Sequence, residues 1–206
     1  IQPYGTNLSI TNDKFISIVG NNEAAAGIKN DLTITTWGDT NYGNQFFSNN
    51  NNFVDIFASY KAFTAFRLDG TIESWGNLDY GGFISSTDIR DMTFTNITSI
   101  YNESFGAFAG INNNGEIASW TSSSDVGPHT DASTIDGGQI ITISNNNNNN
   151  FNFITSNSGA FAALRNGQIF TWGYDGLESY DYGQQLPNPN IIQFNNSNFS
   201  FMVLLF

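Results

Sequence analysis

Apolar and polar positions alternate in short runs along the chain, and turn-forming residues separate the runs. In FVDIFAS, which starts at residue 53, Phe53 and Phe57 lie on one face of an extended segment and Ile56 lies on the other. A period of two is typical of β-strands, whereas an amphipathic helix repeats its apolar positions every three or four residues. No stretch shows the helical spacing. The pattern therefore predicts a chain built of short strands.

Asp-Gly or Asn-Gly pairs lie between several of these runs, at Asp69-Gly70, Asn114-Gly115 and Asn166-Gly167. Such a pair between two strand-like runs predicts a β-hairpin with a type I′ turn, in which both central residues have positive φ. A fourth run has Leu32 where the others have glycine. There we expect a looser turn or a turn of another type.

A unit of strand, strand, hairpin turn and strand occurs four times, and each copy ends near a tryptophan. These markers are Trp37, Trp75, Trp120 and Trp172, at intervals of 38, 45 and 52 residues. A constant unit with linkers of variable length is typical of a repeat array. We expect a single domain, residues 1–206, with repeats at about 14–51, 52–95, 96–149 and 150–190.

The repeat resembles that of the regulator of chromosome condensation family. LDGTIESWGNLDYGG, residues 68–82, shows the Gly-containing turn, the Trp-Gly pair and the following Tyr-Gly pair, and related segments cover about residues 14–190. The resemblance implies an all-β fold, a β-propeller of repeated four-stranded blades. It also implies activities such as nucleotide exchange on a small GTPase with chromatin binding, or inhibition of a secreted enzyme. The family's His-Ser or His-Thr pair is absent, which leaves exchange unsupported.

Both terminal segments resemble parts of a further unit. Residues 1–13 match the segment after Trp-Gly, and residues 191–206 match the first two strands of a copy. Together they predict a split fifth blade. Three arrangements remain open: a slice of a longer propeller, a ring of five blades closed by the two ends, or a ring completed by another chain.

Composition narrows the choice of partner. The formal net charge is -12, with only six basic residues, so we expect no nucleic-acid binding, which needs clustered lysine and arginine. No apolar run reaches the roughly 20 residues that span a bilayer, so we expect no membrane insertion. There is no cysteine for a disulfide or a thiolate metal site. Asn-x-Ser/Thr sequons make N-glycans a further possibility and favour an extracellular location.

Catalytic chemistry is hard to assemble from these residues. The single histidine, His129, has Asp125 and Asp131 nearby in a polar stretch, and we interpret it as an exposed loop residue. Asp175 and Asp181 belong to an acidic loop that has oxygen ligands for calcium but no EF-hand spacing. We therefore predict no enzyme activity, no catalytic residues, no metal site and no cofactor.

The loops offer a better candidate site. If each unit runs strand, loop, strand, hairpin turn, strand, loop, its first and third connections share one rim of the propeller. Aromatic side chains among short polar residues suit recognition of a protein. The predicted rim residues are Asn22, Glu23, Tyr60, Lys61, Asp79, Tyr80, Phe105, Tyr180 and Asp181. The four tryptophans with Gly70, Gly115 and Gly167 are assigned to the structure of the repeat, and the tyrosine of each Tyr-Gly pair has inter-blade packing as an alternative role.

Three functions follow from these patterns. The first is a non-catalytic β-propeller module that binds another protein through the loops of one rim. The second is a structural subunit of an extracellular or virion-like assembly, completed by neighbouring chains. The third is a carbohydrate-binding or hydrolytic propeller, which a bound glycan or a metal at Asp175 and Asp181 would favour.

Overall fold

The chain forms short antiparallel strands with little helix. The computed structural model describes residues 14–48, 51–84, 87–104, 106–121, 139–141, 151–165, 168–173, 184–185, 191–197 and 200–205. Its strands are β1 (Phe15–Gly20), β2 (Ala24–Lys29), β3 (Ile34–Gly38), β4 (Phe53–Ala58), β5 (Ala62–Arg67), β6 (Ile72–Gly76), β7 (Phe94–Tyr101), β8 (Gly106–Asn112), β9 (Ile117–Trp120), β10 (Gln139–Ile141), β11 (Phe153–Ser156), β12 (Ala160–Arg165), β13 (Gln168–Gly173), β14 (Gln184–Gln185), β15 (Ile191–Ser197) and β16 (Ser200–Leu205). The helical elements in the described residues are 3₁₀ turns at Thr40–Tyr42 and Leu78–Tyr80 and one α-helical turn, α1, at Thr87–Arg90.

The strands form five sheets in chain order, each made of sequential antiparallel neighbours. We number them sheet 1 (β1–β3), sheet 2 (β4–β6), sheet 3 (β7–β10), sheet 4 (β11–β14) and sheet 5 (β15–β16). The expectation of four strands in every repeat is not met. Sheets 1 and 2 have three strands each among the described residues. In both sheets a 3₁₀ turn follows the third strand, and in sheet 2 the helical turn α1 follows as well.

The marker tryptophans occupy one register position in sheets 1 to 4. Trp75 pairs with Phe63, and Trp120 pairs with Phe108. Trp172 pairs with Phe161, while Trp37 pairs with Ala25. Each Phe–Trp pair brings its ring centroids to between 5.3 and 5.9 Å. The repeat seen in the sequence is therefore also a repeat of cross-strand partners, which is the unit that stabilises a sheet.

The hydrophobic core lies between the sheets. One cluster joins Ala26 and Ile28 of sheet 1 to Phe53, Ile56 and Trp75 of sheet 2. A second cluster lies between sheets 2 and 3, and a third between sheets 3 and 4. A thin antiparallel sheet has no interior of its own, so each sheet buries its apolar side chains against its neighbour.

One isoleucine position shows how much each sheet depends on the sheet before it. Ile18, Ile56, Ile97 and Ile154 each pair with the equivalent small residue of the second strand. Ile56 is 3 % exposed, and Ile97 and Ile154 are each 4 % exposed. Ile18 of sheet 1 is 57 % exposed. The apolar face that is buried on sheets 2, 3 and 4 is therefore exposed on sheet 1 at this position.

The described hairpin turns at Gly70 and Gly115 lie where the sequence predicts them, but they are not type I′. In the turn at residues 68–70 the amide of Arg67 donates to the carbonyl of Thr71 at 2.9 Å, and the amide of Gly70 donates to the carbonyl of Arg67 at 2.9 Å. Gly70 has φ +86°, whereas Asp69 has no positive φ. A three-residue loop needs positive φ at its last residue only, since a type I turn precedes it.

Leu32 adopts the same conformation as the glycines, contrary to the expectation of a looser or different turn. Its φ is +63°, its amide donates to the carbonyl of Lys29 at 2.8 Å, and the amide of Lys29 donates to the carbonyl of Thr33. The Asp31 carboxylate accepts hydrogen bonds from the hydroxyl and the amide of Thr33, which lower its pKa. These bonds define the turn without glycine.

The last carbonyl of each described hairpin turn binds the next sheet. The carbonyl of Leu32 accepts the amide of Phe53 at 3.1 Å, and that of Gly70 accepts the amide of Phe94 at 2.7 Å. Gly115 and Phe151 repeat the bond at 3.1 Å. The three phenylalanines are buried at the start of their sheets. One backbone bond therefore fixes each of sheets 1, 2 and 3 to the following sheet at this end of the sheets.

Leu32→Gly should stabilise the protein. A left-handed conformation costs a branched residue about 1–2 kcal/mol, and part of that gain is offset by the greater freedom of glycine in the unfolded chain. We expect the free energy of unfolding to rise by roughly 0.5–1 kcal/mol, measured by urea denaturation. The matched change Gly70→Leu should lower it, since a Cβ there meets the Phe94 carbonyl at 3.0 Å. A loss of stability in Leu32→Gly would show that contacts of the leucine side chain outweigh the strain.

Candidate functional site

Two kinds of loop share one end of the sheets, opposite the hairpin turns. In sheet 1 the amide of Asp39, after the third strand, donates to the carbonyl of Glu23, in the loop between the first two strands, at 2.9 Å. In sheet 2 the amide of Asn77 donates to the carbonyl of Lys61 at 3.0 Å. We call this end the loop face.

The 3₁₀ turns place a tyrosine on the loop face in each of sheets 1 and 2. The side chain of Asn77 caps the second turn by accepting the amide of Asp79 at 2.9 Å, and Gly81, with φ +85°, ends it directly after Tyr80. A Cβ on Gly81 would lie 2.7 Å from the ring of Phe108 in sheet 3. Tyr80 is buried, and the residue after it must adopt positive φ in close contact with sheet 3. Only glycine meets both conditions, which explains the Tyr-Gly pair.

Four tyrosines from three sheets meet at this face, and we name them the tyrosine cluster: Tyr42, Tyr60, Tyr80 and Tyr101. Tyr60 is central. Its ring centroid lies 6.3 Å from that of Tyr42, 6.0 Å from that of Tyr80 and 5.7 Å from that of Tyr101. Tyr80 is 7 % exposed and Tyr101 is 44 % exposed, so the cluster runs from the core to the surface. Edge-to-face and tilted ring pairs at these separations are mutually stabilising.

Lys61 places its ammonium group over the tyrosine cluster. The Nζ atom lies 4.8 Å from the ring centroid of Tyr80, 5.3 Å from that of Tyr42 and 5.8 Å from that of Tyr60. A cation within about 6 Å of an aromatic face is attracted by the ring quadrupole. The rings and the ammonium group thus form one connected site.

Hydrogen bonds to backbone carbonyl groups hold the loops around the cluster. The hydroxyl of Tyr80 donates to the carbonyl of Glu103 at 2.8 Å, which connects sheets 2 and 3. The buried hydroxyl of Ser59 donates to the carbonyl of Tyr80 at 2.7 Å. The amide of Asn22 lies 3.4 Å from the carbonyl of Tyr60 and connects sheets 1 and 2. The cluster is therefore positioned by backbone contacts from all three sheets.

The surroundings raise the pKa of two of these phenols. Desolvation by the neighbouring groups is the main cause for Tyr60, and the Glu103 carboxylate adds to it by disfavouring a second negative charge. Desolvation also raises the pKa of Tyr101. Both effects favour the neutral phenol.

The structure places six of the nine predicted rim residues on the loop face. Asn22, Glu23 and Asp79 are exposed, Tyr60 and Lys61 are half-buried, and Tyr80 is buried. Phe105, Tyr180 and Asp181 lie outside the described residues. Tyr101 was missed: it ends β7, a predicted strand, and no turn signal marks it as a surface residue. Tyr42 joins the cluster through its Tyr-Gly pair.

The residues assigned to the repeat lie in the inter-sheet region. Trp75, Trp120 and Trp172 are buried, and Trp37 is half-buried on the open sheet 1. The indole nitrogen of Trp75 donates to the carbonyl of Gly43 at 2.9 Å, and that of Trp120 donates to the hydroxyl of Ser74 at 3.0 Å. Both bonds cross to the preceding sheet. Gly115 has φ +73°, and Gly167 lies outside the described residues.

The sequence offered two further candidate sites, one around the single histidine and one on an acidic loop. His129, Asp125, Asp131, Asp175 and Asp181 all lie outside the described residues. Within the described part of the chain, no three acidic or histidine side chains come together as metal ligands. None of the helices described there has the length and apolar character needed to cross a membrane.

The sequons at Asn96 and Asn102 lie in β7 and in the loop that follows it. Asn96 is exposed on β7. The Asn102 amide nitrogen donates to the carbonyl of Ser158 at 2.9 Å, and its oxygen accepts the amide of Ser104. A glycan on that nitrogen would replace the bond to sheet 4, so Asn96 is the more accessible of the two.

Small antiparallel sheets that follow one another and bury their core between neighbours define a propeller-like repeat array. Solved structures bear this out. The chain is similar to human WBSCR16, with 12 % identity and a TM-score of 0.59 over 78 % of this chain and 47 % of that one. It is similar to Prp20p from Saccharomyces cerevisiae, whose structure was described with its binding properties to Gsp1p and histones, with 13 % identity and a TM-score of 0.58 over 85 % and 48 %.

A third similar structure is the ectodomain of the Physcomitrella patens receptor kinase CR4, with 14 % identity and a TM-score of 0.55 over 84 % of this chain and 44 % of that one. Neither a protein-family model nor a curated protein sequence matches the chain. The fold is thus propeller-like and similar to that of yeast RCC1, another name of Prp20. The chain spans about half the length of the similar structures.

Glu103→Gln should lower the pKa of Tyr60 toward the ordinary value near 10, because it removes the neighbouring negative charge. A phenol whose pKa is higher in the folded protein than in the unfolded chain stabilises the fold below pH 10, and this contribution is lost as pH rises through the folded pKa. The loss begins near the pKa of the unfolded chain in both proteins, so in the variant it should be smaller and complete at lower pH. NMR titration of the tyrosine rings measures the pKa, and Glu116→Gln, on the hairpin side of sheet 3, is the control. An unchanged Tyr60 pKa would contradict the proximity of Glu103.

Proposed function

We propose that this chain is a non-catalytic β-propeller module that binds another protein through its loop face. The observation that carries the proposal is the tyrosine cluster, which extends over three sheets and ends at the exposed ring of Tyr101. Aromatic side chains with an apolar body and a hydroxyl group are enriched in protein interfaces, because they bury a large area with few rotatable bonds. The packing of the sheets already orders these rings.

The surroundings of the cluster support the same role. Exposed Asn22, Glu23 and Asp79 supply a polar margin around the rings, as expected for the rim of an interface. Prp20p, which shares the fold, is described as binding the proteins Gsp1p and histones. Fold likeness alone does not transfer a partner, so the choice of partner depends on the loop face. Phe105, Tyr180 and Asp181 are further contact residues under this proposal.

Tyr60→Ala and Tyr101→Ala should each weaken partner binding by about 1–2 kcal/mol, or roughly five- to thirtyfold in Kd, because central aromatic residues dominate binding energy. The partner is first captured on the immobilised protein and identified by mass spectrometry, and its Kd is then measured by interferometry. Phe105→Ala and Tyr180→Ala test the other two aromatic candidates in the same way.

Leu68→Ala is the matched control, because Leu68 is 75 % exposed at a hairpin turn on the opposite end of sheet 2. It should leave Kd unchanged. Circular dichroism checks that each variant is folded. A partner bound equally well by the wild type, Tyr60→Ala and Tyr101→Ala would rule out the tyrosine cluster as the contact surface.

A second function, a structural subunit completed by neighbouring chains, is favoured by the open face of sheet 1. Ile18 is 57 % exposed at the position where Ile56, Ile97 and Ile154 are 3 to 4 % exposed. Trp37 of the same sheet is only half-buried. An apolar face that matches three buried faces is suited to a sheet of the same kind from a second chain.

Under this second proposal, Ile18→Lys should shift the protein from oligomer to monomer without unfolding it, as measured by light scattering over a range of concentrations. The desolvated ammonium group would prevent another sheet from packing there. Ile56→Lys is the contrasting variant and should unfold the protein, since Ile56 is 3 % exposed. A wild-type protein that remains monomeric at every concentration would refute the assembly role.

A further inference from the structure

The tyrosine cluster already holds a cation. Three ring faces converge on the Lys61 ammonium group, at 4.8, 5.3 and 5.8 Å from their centroids. The rings come from sheets 1 and 2, and Tyr101 of sheet 3 packs edge-to-face with the central ring of Tyr60. Tyrosine faces attract ammonium and guanidinium groups alike. The geometry thus defines a place for one positively charged group.

The margin of the cluster is acidic. Glu103 lies close enough to Tyr60 to raise the pKa of that phenol, and its backbone carbonyl accepts the hydroxyl of Tyr80. Asp79 precedes Tyr80 in the 3₁₀ turn, and Glu23 lies in the loop that bonds to Tyr60 through Asn22. All three carboxylate residues are exposed. They belong to a chain of net charge -12, so the field at this face favours a cationic partner.

Lys61 occupies a position that is acidic in the neighbouring sheet. The carbonyl of Lys61 accepts the amide that follows β6, and the carbonyl of Glu23 accepts the equivalent amide after β3. The ammonium group is joined to its backbone by a flexible four-carbon stem, which lets it leave the rings without moving the loop. Lys61 is therefore an intramolecular occupant that another cation can replace.

We propose that the tyrosine cluster binds a lysine or arginine side chain from a basic segment of the protein partner, which takes the place of Lys61 over the rings. This rests on the proposed function and gives the chemistry of the partner. Lys61 then competes with the ligand, so its removal strengthens binding. A lysine that contacted the partner directly would have the opposite effect.

The test uses a fluorescently labelled hexalysine peptide and a hexaglutamine peptide of the same length, with Kd measured by anisotropy at fixed salt. The wild type should bind hexalysine and not hexaglutamine. Lys61→Gln should bind hexalysine about three- to fivefold more tightly, the factor that corresponds to one exposed cation–π contact. Lys14→Gln is the matched control: it removes one positive charge from an exposed residue beside the hairpin turn of sheet 1, and should change Kd much less.

Two substitutions of Tyr60 separate the aromatic face from the hydroxyl group. Tyr60→Phe keeps the ring and should bind hexalysine nearly as well as the wild type, whereas Tyr60→Leu should bind it several-fold more weakly. Tryptophan fluorescence, which reports the buried indoles, checks the fold of both variants. The proposal is overturned if Lys61→Gln weakens or leaves unchanged the binding of hexalysine, or if Tyr60→Phe loses as much affinity as Tyr60→Leu.

Competition distinguishes this inference from the proposed function. A captured partner that depends on Tyr60 but is not displaced by hexalysine supports the protein-binding role and overturns the cationic ligand. Hexalysine binding that requires the Tyr60 ring, with a partner that ignores Tyr60→Ala, supports the cationic site and counts against the loop face as the partner surface. Displacement of a Tyr60-dependent partner by hexalysine supports both.

Discussion

The burial of apolar side chains between adjacent sheets is the interaction on which the rest of this structure depends. Among the described residues of sheets 1 to 4, the three buried clusters each draw on two consecutive sheets. Stability in such an array is a sum of contributions from neighbours, so each interface fixes the position of the sheets on both sides. Ile18 is exposed and Ile56 is buried although they hold equivalent register positions, so burial at this position depends on contact with a preceding sheet.

The interfaces between the sheets determine the geometry of the loop face. Tyr42, Tyr60 and Tyr101 come from three different sheets, and their rings meet only because the sheets are held at a fixed separation and rotation. The Tyr-Gly pair contributes both to the packing of the sheets and to the cluster. Its glycine lies against a phenylalanine of the next sheet, and its tyrosine belongs to the cluster. The packing between sheets and the tyrosine cluster therefore depend on the same short segment, and a change in the core would also change the cluster.

The fold class was predictable from the sequence because it depends on local periodicity and on the spacing of hairpin turns and tryptophans. The turn type was not, since Asp-Gly fits both the type I′ turn and the three-residue loop that forms here. The tyrosine cluster was predictable only in part. Tyr60, Lys61 and Tyr80 follow from the order of strands and loops, but the approach of Lys61 to three rings depends on distances between sheets. Tyr101 has no local signal, because it lies at the end of an ordinary strand.

The bond between each hairpin turn and the next sheet joins two backbone groups, as at Leu32 and Phe53. Any residue supplies a carbonyl, so the link itself imposes no side-chain requirement on the turn, and Leu32 makes it despite the strain of a positive φ. Mutations can therefore accumulate in the turns of a propeller without loss of the link. A contact between peptide groups is compatible with wide divergence of side chains, and the chain shares its fold with structures to which it is only 12 to 14 % identical.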